Sequence, residues 1–122
     1  MHAFLIVALV ALANPAPDAQ DLVGTWQVDL RPTPDSGPYY QPFVVRAVEG
    51  DVINGTFYGS AVQLSQVNTS WGDVQIAFVT TDGSAQRYVT MARLGDDGVL
   101  RGSTYSPDRD LLQPWTAERE DK

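Results

Sequence analysis

The sequence predicts an all-β fold, an antiparallel up-and-down meander of about eight strands closing into a barrel. Three observations carry this. Apolar and polar residues alternate with period two along most of the chain, the spacing that turns one face of a strand inward. Tight-turn pairs, Gly50-Asp51, Asp82-Gly83 and Asp97-Gly98, punctuate the alternation. After Ala19 the i, i+3, i+4 spacing of an amphipathic helix does not recur.

Residues 22–30 open the meander. Leu22, Trp26, Val28 and Leu30 are apolar, while Thr25, Gln27 and Asp29 alternate with them. Residues 31–38 hold three of the eight prolines and read as a long loop. Strands follow at 43–48, 52–58, 62–67 and 74–78. Asp82-Gly83 leads into 85–94, Asp97-Gly98 into 99–105, and residues 113–120 close the chain. A barrel of this strand number is small, and closing it removes the exposed edges of an open sheet. A weak repeat relates Phe43–Tyr58 to Tyr88–Tyr105. It places Gly55 and Gly102 inside strands, where glycine marks a bend or bulge.

The 122 residues suit one domain. Residues 1–19 read as a signal peptide with a flexible mature N-terminus, and residues 20–122 as the barrel. Ala3 to Ala13 is an unbroken apolar run, shorter than the roughly 20 residues that span a bilayer as a helix. It ends in Ala11-Leu12-Ala13, a small-x-small cleavage pattern, although Met1-His2 supplies no Lys or Arg ahead of it. The expected location is periplasmic or secreted, in a bacterium: seven arginines stand against the single Lys122. No stable membrane span is expected after removal of the signal.

Composition narrows the chemistry. With no cysteine, disulfides, thiolate catalysis and Cys-based metal sites are excluded. A net charge of −7 disfavours nucleic acid and anionic membranes as partners. His2 is the only histidine and lies in the signal segment, so the mature chain has no imidazole base or ligand. Asp96-Asp97 and Asp108-Arg109-Asp110 read as charged turns, since no ladder of oxygen ligands follows either. The expectation is a protein that is not an enzyme, with no cofactor, no metal and no catalytic residues. Loop aromatics, Tyr39, Tyr40 and Trp71, are the candidate ligand-binding residues, flanking a barrel entrance.

Gly24-x-Trp26 in the first strand and Trp115-Thr116-Ala117-Glu118-Arg119 in the last resemble the lipocalins and the wider lipocalin-like exported barrels. That resemblance implies that Trp26 packs beneath Arg119 at the closed end, a structural plug rather than a binding site. The chain is shorter than a lipocalin, and Thr81-Asp82 echoes only part of a further family signature. Gly24-Thr25-Trp26 also opens avidins, but Gln27-Val28-Asp29 stands where their biotin contacts continue.

Two functions follow from different classes. In one, the barrel binds a small apolar or amphipathic molecule, neutral or cationic, with an amphipathic acid preferred if Arg46, Arg87 or Arg101 points inward. In the other, Trp26, Val28, Phe57, Ile76, Phe78 and Leu100 fill the interior, and the barrel is a structural or protein-interaction module of the envelope whose partner is not identified. Export is expected to remove the N-terminus between Ala13 and Gln20. Intact-mass measurement on protein from the native host checks this, and a mature species retaining Met1 contradicts it.

Overall fold

A computed structural model describes residues 16–120. The apolar run at 3–13, with the signal-peptide expectation resting on it, lies outside the described residues. Over these residues the chain is all-β, with nine antiparallel strands in one nearly closed barrel. They are β1 (Gly24–Asp29), β2 (Tyr40–Glu49), β3 (Val52–Phe57), β4 (Ser60–Ala61), β5 (Gln63–Asn68), β6 (Val74–Thr81), β7 (Arg87–Leu94), β8 (Leu100–Ser106) and β9 (Leu111–Arg119). Their order in the sheet is β4-β3-β2-β1-β9-β8-β7-β6-β5, so the first and last long strands are neighbours.

Eight strands were expected and nine are present, the addition being the two-residue β4. Two short 3-10 turns, Ala19–Leu22 and Pro107–Arg109, complete the elements. Leu22, expected to begin the first strand, instead ends the first of these turns, fully buried. Asp18 caps it by accepting from the Gln20 and Asp21 amides, and Asp21 returns a carboxylate to the Asp18 amide. Ordered structure thus begins ahead of residue 20. β7 starts at Arg87 rather than Ala85, because Ala85 sits at φ +67° inside the turn that Asp82 organises.

Alternation fixes which side chains enter the barrel. In β6, Val74, Ile76, Phe78 and Thr80 are buried, with the residues between them more exposed. Phe43, Phe57, Phe78 and Trp115 meet in one cluster with ring centroids 5.4–5.6 Å apart. Gly102 is register partner to Trp115, and a Cβ there would lie 2.7 Å from the indole Cζ2; its absence seats the ring. A Cβ on Gly55 would lie 2.0 Å from the Val44 carbonyl oxygen, beside the bulge between Val45 and Ala47.

The gap in the ring falls in mid-chain, between β3 and β5. One backbone hydrogen bond crosses it, from the Val62 amide to the Gly55 carbonyl at 3.0 Å. Side chains do the rest. The Ser65 hydroxyl accepts from the Ile53 amide and donates to the Asp51 carbonyl, and the Asp51 carboxylate accepts from the Val67 amide.

The opposite join, β1 to β9, carries Trp26 and Arg119 as register partners on one face. Trp26 is fully buried, the Arg119 guanidinium lies 4.6 Å from its ring centroid, and the indole N–H donates to the Leu22 carbonyl at 2.9 Å. Arg119 also donates to the carbonyls of Val23 and Asp21. One cation thus ties the last strand, the first strand and the preceding turn together over the indole. Trp26→Ala is expected to cost about 3–5 kcal/mol as a fully buried aromatic, and Arg119→Ala less. Chemical denaturation of both variants checks the order, and equal or negligible losses refute it.

Candidate binding site at the open end

The plug occupies one end of the barrel. At the other lies a cavity of about 580 Å³, within the roughly 300–1,000 Å³ usual for small-molecule pockets. Its floor and walls include Phe57, Thr80, Thr104, Leu30 and Leu111, and its rim carries Tyr39, Tyr58, Asp82, Tyr88, Arg109 and Gln113. The aromatic cluster thus packs the interior up to Phe57, which is shared with the lining of the cavity at the open end.

Local sequence explains each rim position. At the end of β1 the Asp29 carboxylate accepts from the amides of Arg31 and Tyr39 and pairs with the Arg31 guanidinium. These bonds, the Arg31 side-chain pair foremost, hold the Asp29 carboxyl below its usual range. The Leu30 amide donates to the Tyr39 carbonyl at 2.7 Å, which pinches the proline-rich loop shut and delivers Tyr39 to the mouth.

Tyr58 arrives differently. Phe57 pairs with Ser60, so Tyr58-Gly59 is a two-residue turn, with φ of +53° and +81°. Asn-Gly suits such a turn, and a tyrosine in left-handed backbone costs about 1 kcal/mol. In return the Tyr58 ring meets Tyr39 edge-on at 6.3 Å, their hydroxyls hydrogen-bonded. That bond, with partial burial, raises the Tyr58 pKa above its ordinary value.

Asp82 is the polar hub of the rim. It accepts from the Ser84 hydroxyl and amide, from the Gln86 amide, and from the Tyr88 hydroxyl at 2.9 Å. These bonds, the Ser84 hydroxyl first, hold its carboxyl far below the usual carboxylate range. Burial and the bond to Asp82 raise the Tyr88 pKa. Arg109, in the second 3-10 turn, brings its Nε within 3.7 Å of Asp82. Beneath them, the Thr104 hydroxyl is bonded to Thr90 at 2.9 Å and accepts from the Trp115 indole N–H at 3.0 Å.

Of the residues singled out from sequence, Tyr39 lines this mouth. Tyr40 begins β2 and is 49% exposed, outside the cavity lining. Trp71 lies in the β5–β6 turn at the plug end, 78% exposed, so the three do not flank one entrance. Arg46, Arg87 and Arg101 are all exposed, and none lines the cavity. Arg87 and Arg101 pair with Asp108 and Asp97. Sequence reasoning missed Tyr58, Tyr88, Asp82 and Arg109. The available signal was the tyrosine in front of Gly59, where a turn calls for asparagine. Asp108-Arg109-Asp110, taken as a solvated turn, supplies the rim's cation through its middle residue. Among the described residues no group of three or more acidic, His or Cys side chains could hold a metal ion.

No family model, curated protein or solved structure matches this chain.

The folded pKa of Asp82 lies below its unfolded value, so its bonds contribute stability above about pH 4 and lose it as pH falls toward the folded value. Asp82→Asn is expected to lower the melting temperature at neutral pH, with the gap to the parent narrowing below about pH 4. Thermal unfolding of both proteins across that range checks the sign, and a gap that widens in acid contradicts it.

Proposed function

We propose that this protein binds one small amphipathic molecule in the cavity at the open end of its barrel, as an exported lipocalin-like carrier or receptor of bacterial origin. The observation that supports the reading best is the cavity's construction. A largely apolar lining beneath a ring of tyrosines and one ion pair suits a ligand with an apolar body and a polar head. The strained Tyr58 turn supports it as well, since strain at a rim is retained where the ring it positions is used. Export is supported by the Ala3 to Ala13 run and by Ala11-Leu12-Ala13.

Binding rather than turnover suits a chain whose one histidine is His2 and which has no cysteine. Among the described residues no helix is long and apolar enough to cross a membrane. The filled-barrel reading draws its support from the Phe43–Phe57–Phe78–Trp115 cluster, whose Phe57 also lines the cavity.

The ligand is compact. Thr80, near the end of β6, and Asp82, just beyond it, are two residues or about 7 Å apart along the backbone, so a ligand that spans the two is short. Calorimetric titration of compact cationic, neutral and acidic amphiphiles is expected to yield a single saturable site. Leu111→Trp, which fills the cavity from its wall, is expected to abolish that site with the circular dichroism unchanged. No saturable heat for any probe up to about 100 μM overturns the proposal in favour of the interaction module.

A further inference from the structure

We infer that the occupant of the cavity is a ring-sized carboxylic acid with a hydroxyl at the end remote from its carboxylate, held by Arg109 at the rim and Thr80 at the floor. This rests on the reading of the open end as a binding site and adds the chemistry of its occupant.

The two charged groups of the rim differ in how far they are engaged. Oδ1 of Asp82 accepts from the Ser84 hydroxyl and amide and from the Gln86 amide, while Oδ2 accepts from the Tyr88 hydroxyl and faces Arg109, so a cationic head group would have to displace Arg109 from Oδ2. Arg109 is in the reverse position. Its Nε stands 3.7 Å from Asp82 Oδ2, an ion pair too long for a hydrogen bond, and its guanidinium lies beside the Tyr88 hydroxyl, so most of its donors are left for a ligand. A planar fork of donors at the edge of a largely apolar cavity matches a carboxylate, which it can take through two parallel bonds.

The floor carries the second demand. Thr80 is 3% exposed, lines the cavity, and has no hydrogen bond among the described residues. Every described side-chain polar atom that is wholly closed off has a partner, so the Thr80 hydroxyl opens onto cavity space. Its neighbour Thr104 is occupied by Thr90 and Trp115. A hydroxyl that faces the cavity favours a ligand carrying a hydroxyl of its own, which can both donate to it and accept from it. The spacing sets the size. The floor lies about 7 Å below the rim along β6, the length of one six-membered ring with a short arm. Phe57, Leu30 and Leu111 supply apolar walls for the ring.

The test titrates the full chain calorimetrically with three probes: para-hydroxyphenylpropionate, phenylpropionate and the neutral para-hydroxyphenylpropanol. The hydroxy acid is expected to bind tightest. Arg109→Gln is expected to weaken both acids about tenfold and leave the alcohol unchanged. Thr80→Val is expected to weaken the two hydroxylated probes several-fold and spare phenylpropionate, with Thr80→Ser restoring the parent affinity. Melting temperatures of all three variants exclude misfolding as the cause. Equal affinity for acid and alcohol, or an Arg109→Gln loss shared by all three probes, overturns the Arg109 assignment. A Thr80→Val loss shared by phenylpropionate, or no rescue by serine, overturns the Thr80 assignment. If these probes are silent while other compact amphiphiles bind, the acid class falls and the binding site stands; silence from every amphiphile removes both.

Discussion

The pairing of β1 with β9 is the constraint on which the rest of the barrel depends. A meander of antiparallel strands is open unless its ends meet, and here they meet over Trp26 and Arg119. Because these two are directly opposed, the pair also sets the register of the closing ladder. A slip of one residue would turn Arg119 outward, strip the carbonyls of Asp21 and Val23 of their donor, and face Ala117 to solvent. An indole beneath a guanidinium that satisfies two backbone carbonyls specifies a single alignment, which hydrophobic burial alone would not do.

With the ends joined, the interior divides by what each strand contributes at a given height. Near the plug, Trp26, Leu22, Val74 and Leu94 pack tightly, and the four-ring aromatic cluster stands above them. Toward the other end the inward positions change to Thr80, Thr90, Thr104 and Ser106, small and polar. Three of these four are satisfied within the protein through the Thr90–Thr104–Trp115 network and the bond from Ser106 to the Arg87 carbonyl. The hollow begins where large side chains give way to this threonine layer.

Much of this was legible in the sequence, because period two is a direct consequence of strand geometry. The strands, the long proline-rich loop, and the inward direction of Trp26, Val28, Phe78 and Leu100 follow from it. β4 was not, since two residues carry no period. The misplacement of Trp71 beside Tyr39 was avoidable. β4 runs on into β5 as one arm of the meander, and with the two counted together successive turns fall at alternate ends, so a residue in the β5–β6 turn lies opposite one in the β1–β2 turn. The same parity gathers Tyr39, Tyr58, Asp82 and Arg109 at one end. It could not show which of their hydrogen-bonding groups are already engaged. The bonds on Asp82 are local to its own hairpin, but its ion pair with Arg109 and the opening of Thr80 onto the cavity depend on turns far apart in the chain.

Joining the chain ends also fixes the order in which the barrel can assemble. Arg119 and the Val23 carbonyl it binds are 96 residues apart, so the closing ladder is among the least local contacts of the fold and must await most of the others. Until β9 arrives, β1 has one satisfied edge, along β2, and one bare edge that presents an apolar inner face and a row of unpaired amides and carbonyls. An incomplete chain therefore displays a template for β9 from any copy of itself. At high concentration, two such chains can each accept the other's last strand, and the ladder that seals one monomer becomes the route to a strand-exchanged dimer.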